Sequence, residues 1–285
     1  MILASIILPL ISALSGATAN VISKEIIDDT GYIELTTLTF LTIFLLMAPF
    51  SILFFQITKL QAALPLIAFI VVADSAANLL YFKGLERIQV SKANAFLSLS
   101  PLFTALITPF ILPEQFGPGV FIAAVGITLS VYFVQTGYGV KEFIKNLRNE
   151  HTYLIIASAS IFAATAIPVR ILIRDMAAVN SPTLYWIRSI AIFATIMLVM
   201  RPDLRAVSNR NIGIISFKSI FVIISWVLLF YSISHFNLIF SYSLAKTVPF
   251  FTLLIAWNRL DEKITLQKVV GIAVLIISIA VAKAV

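Results

Sequence analysis

The segment PLFTALITPFILPE, from Pro101 to Glu114, returns later in the chain as PFFTLLIAWNRLDE, from Pro249 to Glu262. Seven of the fourteen positions are identical, namely Pro, Phe, Thr, Leu, Ile, Leu and Glu. The offset between the copies is 249 − 101 = 148 residues, slightly more than half of the 285-residue chain. Apolar composition alone would give only about one or two such matches, so we interpret the pair as an internal repeat.

The composition of the chain differs from that of soluble proteins. Hydrophobic residues make up 60% of it and charged residues 12%, whereas soluble domains carry about 25% charged residues. This predicts a polytopic protein of the lipid bilayer. A net charge of +7 would suit nucleic-acid binding in a soluble protein. Here Lys and Arg gather in short loops between apolar runs, where they set membrane topology, so we expect no nucleic-acid partner. With no Cys and only two His, no metal site or cofactor is expected either.

Ten apolar runs are long enough to span a bilayer as helices, which takes about 20 residues each. They lie at about 2–22, 36–55, 63–85, 91–111, 117–136, 152–173, 181–200, 212–234, 238–257 and 265–284. Open sheets are improbable in lipid because their edges leave backbone groups without partners. The longest polar connection, residues 137–151, separates a first unit, 1–136, from a second, 152–285. The expected class is therefore an all-α polytopic membrane protein with ten transmembrane helices.

The offset of 148 aligns the third run with the eighth and the fourth with the ninth without a gap. Phe82 falls on Phe230, and Pro101 falls on Pro249. Each unit then holds five runs. Because five is odd, the second unit enters the membrane from the opposite side, and the two form inverted repeats. Such repeats are a transporter architecture, with the substrate site near the midplane between them.

This layout resembles the drug/metabolite transporter superfamily, and within it the EamA-like family of ten-helix permeases. The resemblance rests on ANLLYFKGLERIQVSKANAFLSLSPLFTALI (residues 77–107) leading to Glu114, on the matching segment through Pro249 to Glu262, and on Arg188. It covers nearly the whole chain. It implies transport of amino acids, other metabolites or drugs, and it places the fifth and tenth runs at the periphery. One departure is Phe40, which stands where the family often has a second Arg.

Polar residues inside the third run share one helical face. Asn78 and Tyr81 follow Asp74 at i+4 and i+7, which puts the three side chains together. A central Asp costs about 2.5–3.5 kcal/mol on insertion scales, so this face is not expected to meet lipid. We predict that it lines a central cavity, where Asp74 binds a substrate ammonium group or a coupling proton. The alternative is a buried structural pair between Asp74 and a Lys or Arg of another helix.

A second polar face occurs twice, once in each unit. Both copies end at a proline, and they consist of Asn94, Ser98 and Pro101 in the fourth run and Tyr242, Lys246 and Pro249 in the ninth. The duplication predicts a shared cavity, and the prolines mark points where the helices bend or break. Lys246 could hold a carboxylate or phosphate. Alternatively, Lys246 neutralises Asp74 and the prolines serve packing alone.

Other candidates are weaker. Arg188 could bind an anionic group or a helix-end carbonyl. Trp226 falls on Asn78 in the repeat and could stack on substrate or simply pack, and Asn20 is a further cavity candidate. Glu114 and Glu262 follow the repeated segment and are interpreted as helix caps or gating elements, since helix N-termini favour negative charge.

Together these features predict a secondary transporter of the cell membrane that works by alternating access, as a monomer or homodimer. No Walker motif is present in the sequence, so direct use of ATP is not expected. The favoured cargo is an amino acid or a similar charged or zwitterionic metabolite. The alternatives are an exporter of drugs or cationic compounds, a passive channel, and a lipid-modifying enzyme. The last lacks the clustered chemistry that catalysis needs.

Orientation in the membrane stays open. Most Lys and Arg lie on the side opposite to the termini, so the positive-inside rule places both termini outside. This comparison includes Lys83 and Lys218, although both could lie inside helices. The family resemblance instead implies that both termini are inside.

Overall fold

The computed structural model describes residues 2–112, 125–126, 130, 149–259 and 265–284. Its α-helices in those ranges are α1 (Ile2–Thr30), α2 (Tyr32–Leu53), α3 (Leu60–Leu85), α4 (Val90–Leu97), α5 (Ser100–Ile107), α6 (Glu150–Arg170), α7 (Ser181–Met200), α8 (Asn209–His235), α9 (Leu238–Ala245), α10 (Val248–Arg259) and α11 (Leu266–Ala284). The all-helical prediction is confirmed for this part of the chain. Most of the predicted fifth run, with Glu114 and Glu262, lies outside the described residues.

Eight helical segments of the described chain are long and apolar enough to cross a bilayer. Large apolar side chains cover their outer surfaces; Leu198, for example, is 78% exposed and Phe110 is 88% exposed. An apolar outer surface of this kind would be costly in water, whereas lipid solvates it. The protein is thus a multi-pass membrane protein.

Helix α1 is longer than its apolar run. The sequence predicts an end near residue 22, but the helix continues to Thr30. In its added turns, Lys24 donates from Nζ to the carbonyls of Leu85 (2.8 Å) and Glu86 (2.9 Å) at the end of α3. Carbonyls at a helix C-terminus have no partners within the helix, and a cation satisfies them well. The polar residues after position 22 therefore continue the helix and contact its neighbour.

Both repeated prolines interrupt their spans. Helix α4 ends at Leu97 and α5 begins at Ser100, one residue before Pro101. Likewise α9 ends at Ala245 and α10 begins at Val248, one residue before Pro249. Proline has no N–H to donate, so the carbonyl four residues earlier loses its helical partner. The expected breaks are confirmed, and Ser98 and Lys246 lie at the two equivalent break points.

The two units interleave, and their contacts repeat. Helix α1 packs on α8, and the equivalent pair, α6 and α3, packs in the same way. Helix α4 packs on α10, and its counterpart α9 contacts α5. Helices α2 and α7, which are equivalent to each other, pack together. Each inter-unit contact thus has a partner contact in which the two units exchange roles.

Two large apolar clusters fill the described bundle, one toward each end, and a third, small one contains Ala105 and Ile239. The first contains Ile43, Leu184 and Phe230, and the second contains Leu35, Leu85 and Ile215. They consist of buried side chains from both units, so the units share their cores.

The ends of the bundle differ. At one end, which we call the tied end, residues 54–59 after α2 meet residues 176–180 after α6. Ile57 and Val179 form an antiparallel bridge, and Thr58 donates its N–H to the Ala178 carbonyl at 2.9 Å. Lys59 Nζ and Asn180 Nδ2 add hydrogen bonds to Met176 and Phe54 carbonyls, at 2.9 and 2.7 Å.

The repeat-equivalent segments, residues 28–31 and 201–211, meet at the opposite end. Among the described residues, one hydrogen bond joins them, from Asn211 Nδ2 to Thr30 Oγ1 at 3.1 Å. The molecule is thus cross-linked more extensively at the tied end than at the opposite end.

Candidate functional site

A polar cavity of about 100 Å³ lies between the two units. Both units contribute walls, through α1–α4 of the first and α6 and α8–α10 of the second. Its polar lining residues are Ser12, Asn20, Ser23, Thr39, Asn78, Tyr81, Lys218, Ser225 and Lys246. A space this size holds several waters or one compact solute. A small molecule bound there would contact both units at once.

Two lysines line this cavity. Lys218 on α8 is 1% exposed and Lys246 at the α9–α10 break is 8% exposed. Lys218 Nζ has no hydrogen-bond partner in the part of the chain that the structure describes. No ion pair of Lys246 is found there either. Since a Lys near the bilayer centre costs about 2.5–3.5 kcal/mol on insertion scales, two such side chains indicate a function.

Both lysine ammonium groups lie close to aromatic rings. Lys218 Nζ lies 4.9 Å from the centroid of the Phe82 ring, and Lys246 Nζ lies 5.0 Å from that of Tyr242. Cation–π contacts of this kind contribute roughly 0.5–2 kcal/mol, which does not replace a counter-ion. None of the described residues that line the cavity is an Asp or Glu. The cavity is therefore electropositive.

Two other buried charges are paired with each other. Asp74 and Arg188 form an ion pair through Oδ2 and Nε, and they are 2% and 1% exposed. Thr165 donates to the second carboxylate oxygen of Asp74 at 2.9 Å. Asp74 thus has the buried cationic partner that the sequence left as the alternative, and that partner is Arg188 rather than Lys246.

Trp226 and Phe162 form a wall between this ion pair and the polar cavity. Both side chains line the cavity, and both also line a second void of about 10 Å³, which Asp74 borders as well. The Arg188 guanidinium lies 4.5 Å from the centroid of the Trp226 ring. The tryptophan therefore covers the ion pair with one part of its surface and borders the cavity with another.

Asn94 is the centre of a buried hydrogen-bond network. Its Oδ1 accepts from Asn20 Nδ2 at 2.7 Å and from the Tyr81 hydroxyl at 3.0 Å. Its Nδ2 donates to Thr252 Oγ1 at 2.8 Å. Four helices are joined in this way. Since most of its hydrogen-bonding capacity is used, Asn94 orients the cavity residues Asn20 and Tyr81.

The two helix breaks contact each other directly. Ser98 Oγ lies 3.0 Å from the backbone carbonyl oxygen of Lys246 and 2.8 Å from that of Asn94, so its single proton is shared between these two acceptors. The Lys246 carbonyl is available because Phe250, its normal helical donor, bonds instead to Thr247 at 3.0 Å. Ser98 and Lys246 are equivalent in the repeat, so each unit meets the other at the same position. The bond fixes the backbone that carries one of the two cavity lysines.

The structure divides the residues selected from the sequence into two sets. Asn20, Asn78, Tyr81, Trp226 and Lys246 line the cavity. The others are buried next to it without lining it, and they are Asp74, Asn94, Ser98, Arg188 and Tyr242.

Sequence reasoning missed Lys218 as a cavity residue. Lys218 lies nine residues after the start of α8, and this position inside the helix was the signal for a buried lysine. Because Lys218 was counted with the loop cations, it was not considered as a cavity residue.

Comparison with known proteins identifies the family. Two copies of one family model, described as the EamA-like transporter family, match residues 3–136 and 152–283. The chain belongs to the EamA-like transporter family. The resemblance drawn from the sequence is confirmed, and the protein is a membrane transporter of this family.

No curated protein matches this EamA-like transporter significantly. Several solved chains do match in structure. One is a crystal structure that aligns over 98% of this chain and 97% of its own length, with a TM-score of 0.71. At 17% sequence identity, the likeness concerns the fold alone. What this EamA-like transporter carries must therefore be argued from its own cavity.

Proposed function

We propose that the protein is a secondary transporter that moves a small charged or zwitterionic metabolite, such as an amino acid, across the cell membrane by alternating access. Residues 1–136 and 152–285 act as two inverted five-helix repeats, joined by residues 137–151. Transport is driven by a solute or proton gradient and not by ATP. The functional unit is a monomer or homodimer.

The observation that carries this proposal is the polar cavity between the units, with buried lysines in its wall. A charged solute could bind there away from lipid, in contact with both units. Asn78, Tyr81, Trp226 and Lys246 are the residues of the sequence-based set that would touch it. Asp74, Arg188, Asn94, Ser98 and Tyr242 would support them from behind.

The unequal ends of the bundle support alternating access. Several hydrogen bonds and the Ile57–Val179 bridge join the units at the tied end, while one bond joins the described residues at the opposite end. In an inverted repeat the two ends exchange roles during transport. This conformation would then be the state closed at the tied end. Pro101 and Pro249, at the helix breaks, are the proposed hinges.

Transport by the purified protein in proteoliposomes is the direct test. We expect saturable counterflow of at least one labelled charged or zwitterionic metabolite, and its loss in Lys246→Ala. Empty liposomes and the exposed-residue variant Arg210→Ala serve as controls. Uptake of cationic dyes alone, unaffected by Lys246→Ala, would contradict the proposal and favour a drug exporter.

A disulfide across the tied end tests the mechanism. Residues paired across an antiparallel bridge have Cα atoms about 4.5–5.5 Å apart, which suits a disulfide. The native chain has no Cys, so Ile57→Cys/Val179→Cys introduces the only pair. We expect oxidation to lower counterflow by about tenfold or more, because the tied end must open, and reduction to restore it. Each single-Cys variant should be insensitive to oxidant, and full activity of the cross-linked protein would exclude this motion.

A further inference from the structure

We propose that the cavity binds a small organic dianion, whose two acidic groups pair with Lys218 and Lys246. Carboxylate and phosphate share the required chemistry, so the ligand is a compact dicarboxylate or a phosphorylated acid. This inference rests on the proposed transport function and narrows its substrate class.

The cavity wall carries positive charge. Lys218 and Lys246 both border the same space, and neither has an acidic partner among the described residues. Buried charges in proteins are normally paired, since desolvation of a lone ammonium is unfavourable. A ligand that brings two negative charges would supply the missing counter-charges. Charge-assisted hydrogen bonds to carboxylate or phosphate oxygens are also the strongest that an ammonium group makes.

The described cavity wall offers no carboxylate to a positively charged group. Asp74 is the acidic residue that sequence reasoning offered to a substrate ammonium group. Its oxygens instead meet Arg188 and Thr165, and Trp226 and Phe162 stand between it and the cavity. A cation or the ammonium group of a zwitterion would therefore face two lysines, and no carboxylate lies among the described residues that line the cavity.

The two lysines lie on one side of the cavity. The repeat equivalents of Lys218 and Lys246 are Ile70 and Ser98, so the first unit supplies no cation at the matching positions. Both lysines belong to the second unit, and the first unit faces them with the Phe82 ring and the Asn78 and Tyr81 side chains. A compact dianion bound against α8 and the α9–α10 break would satisfy both charges within a space of about 100 Å³.

A selectivity series on the unmodified protein tests the inference first. Thermal stabilisation of the detergent-purified protein is measured with succinate, 3-phosphoglycerate, propionate, alanine and choline. Counterflow in proteoliposomes is then measured with the labelled forms. We expect succinate or 3-phosphoglycerate to stabilise the protein and exchange, and the difference between these two separates a dicarboxylate from a phosphorylated acid. Propionate should be about tenfold weaker, because it fills one of two charge positions. Alanine and choline should be inert.

Lysine variants then assign the site. Lys218→Met and Lys246→Met should each raise the half-saturating dianion concentration about tenfold or more, because each removes one counter-charge. Arg210→Met removes a cation from the exposed start of the same helix, α8, and should shift it less than about twofold. Unchanged dianion affinity in both lysine variants would overturn the assignment.

The outcomes distinguish failure of the dianion site from failure of the proposed transport function. Exchange of alanine or of a cation, without exchange of either dianion, would refute the dianion site and leave the transporter proposal in place. Failure of every solute class to exchange would count against the transporter proposal itself. Since the selectivity series uses the unmodified protein, it decides for or against the dianion even where a lysine variant fails to fold.

Discussion

Two buried charged regions lie on either side of one aromatic wall, and they differ in whether their charges are paired. Behind Trp226, Asp74 meets Arg188 and accepts a hydrogen bond from Thr165. In front of it, Lys218 and Lys246 have aromatic rings but no acid beside them among the described residues of the cavity wall. A paired charge in a membrane helix bundle joins helices, whereas an unpaired one remains available for a ligand.

The charged residues of both regions also differ from their equivalents in the repeat. The ion pair joins α3 of the first unit to α7 of the second, and Phe40 stands at the position of the first unit that is equivalent to Arg188. The lysines likewise have no charged counterparts in the first unit. The two copies have therefore diverged in their charged residues, so that one region holds a paired Asp and Arg and the other holds two lysines without an acidic partner among the described residues. The prolines, in contrast, are repeated, and the helix breaks remain equivalent.

Removing the acid from the paired region should have the largest effect. Asp74→Asn keeps the shape but leaves the Arg188 guanidinium buried without a counter-charge. We expect the free energy of unfolding to fall by roughly 3–5 kcal/mol, as when one partner of a buried ion pair is removed. Denaturant titration in detergent micelles would measure the loss.

Two further variants make that measurement specific. Asp28→Asn removes an exposed acid from α1 and should change stability little. The double variant Asp74→Asn/Arg188→Gln should recover part of the loss, because it removes the orphaned charge. If Asp74→Asn is as stable as the native protein, the ion pair does not stabilise the fold.

The sequence predicted much of the fold from the repeat. The offset of 148 aligned the units, and the prolines at 101 and 249 located both helix breaks, since a missing N–H is a local property. The end of α1 was misplaced because the polar residues beyond position 22 include Lys24, whose partners are carbonyls of α3. That contact depends on which helices neighbour each other, which no local pattern encodes.

The site was predicted less completely for the same reason. Helical periodicity put Asp74, Asn78 and Tyr81 on one face, yet Asp74 lies behind the wall and the other two line the cavity. The partner of Asp74 is four helices away in sequence order. Lys218 resembles a cation near a helix end that extends to the headgroups, and packing alone shows that it is buried.

Removing charge from the unpaired region should have the opposite and smaller effect. Lys218→Met replaces a buried ammonium, which lacks a partner among the described residues, with an apolar side chain of similar length. We expect the ligand-free protein to become more stable by about 1–3 kcal/mol, part of the insertion cost of a central Lys. Denaturant titration of the ligand-free protein gives the sign. Destabilisation would show that Lys218 supports the fold and would remove the contrast between the two regions.

The smallest expected effect concerns the contact that holds Lys246 in place. Ser98→Ala removes the hydroxyl that donates to the Lys246 carbonyl at 3.0 Å, and we expect a loss of about 1 kcal/mol in unfolding free energy. Because the lysine backbone is then less fixed, half-saturation of counterflow should rise by a few-fold while Lys246 itself remains. Ser234→Ala, which removes an exposed hydroxyl near the end of α8, is the matched control. Equal half-saturation in Ser98→Ala and the control would show that the unpaired lysine needs no support from the opposite unit.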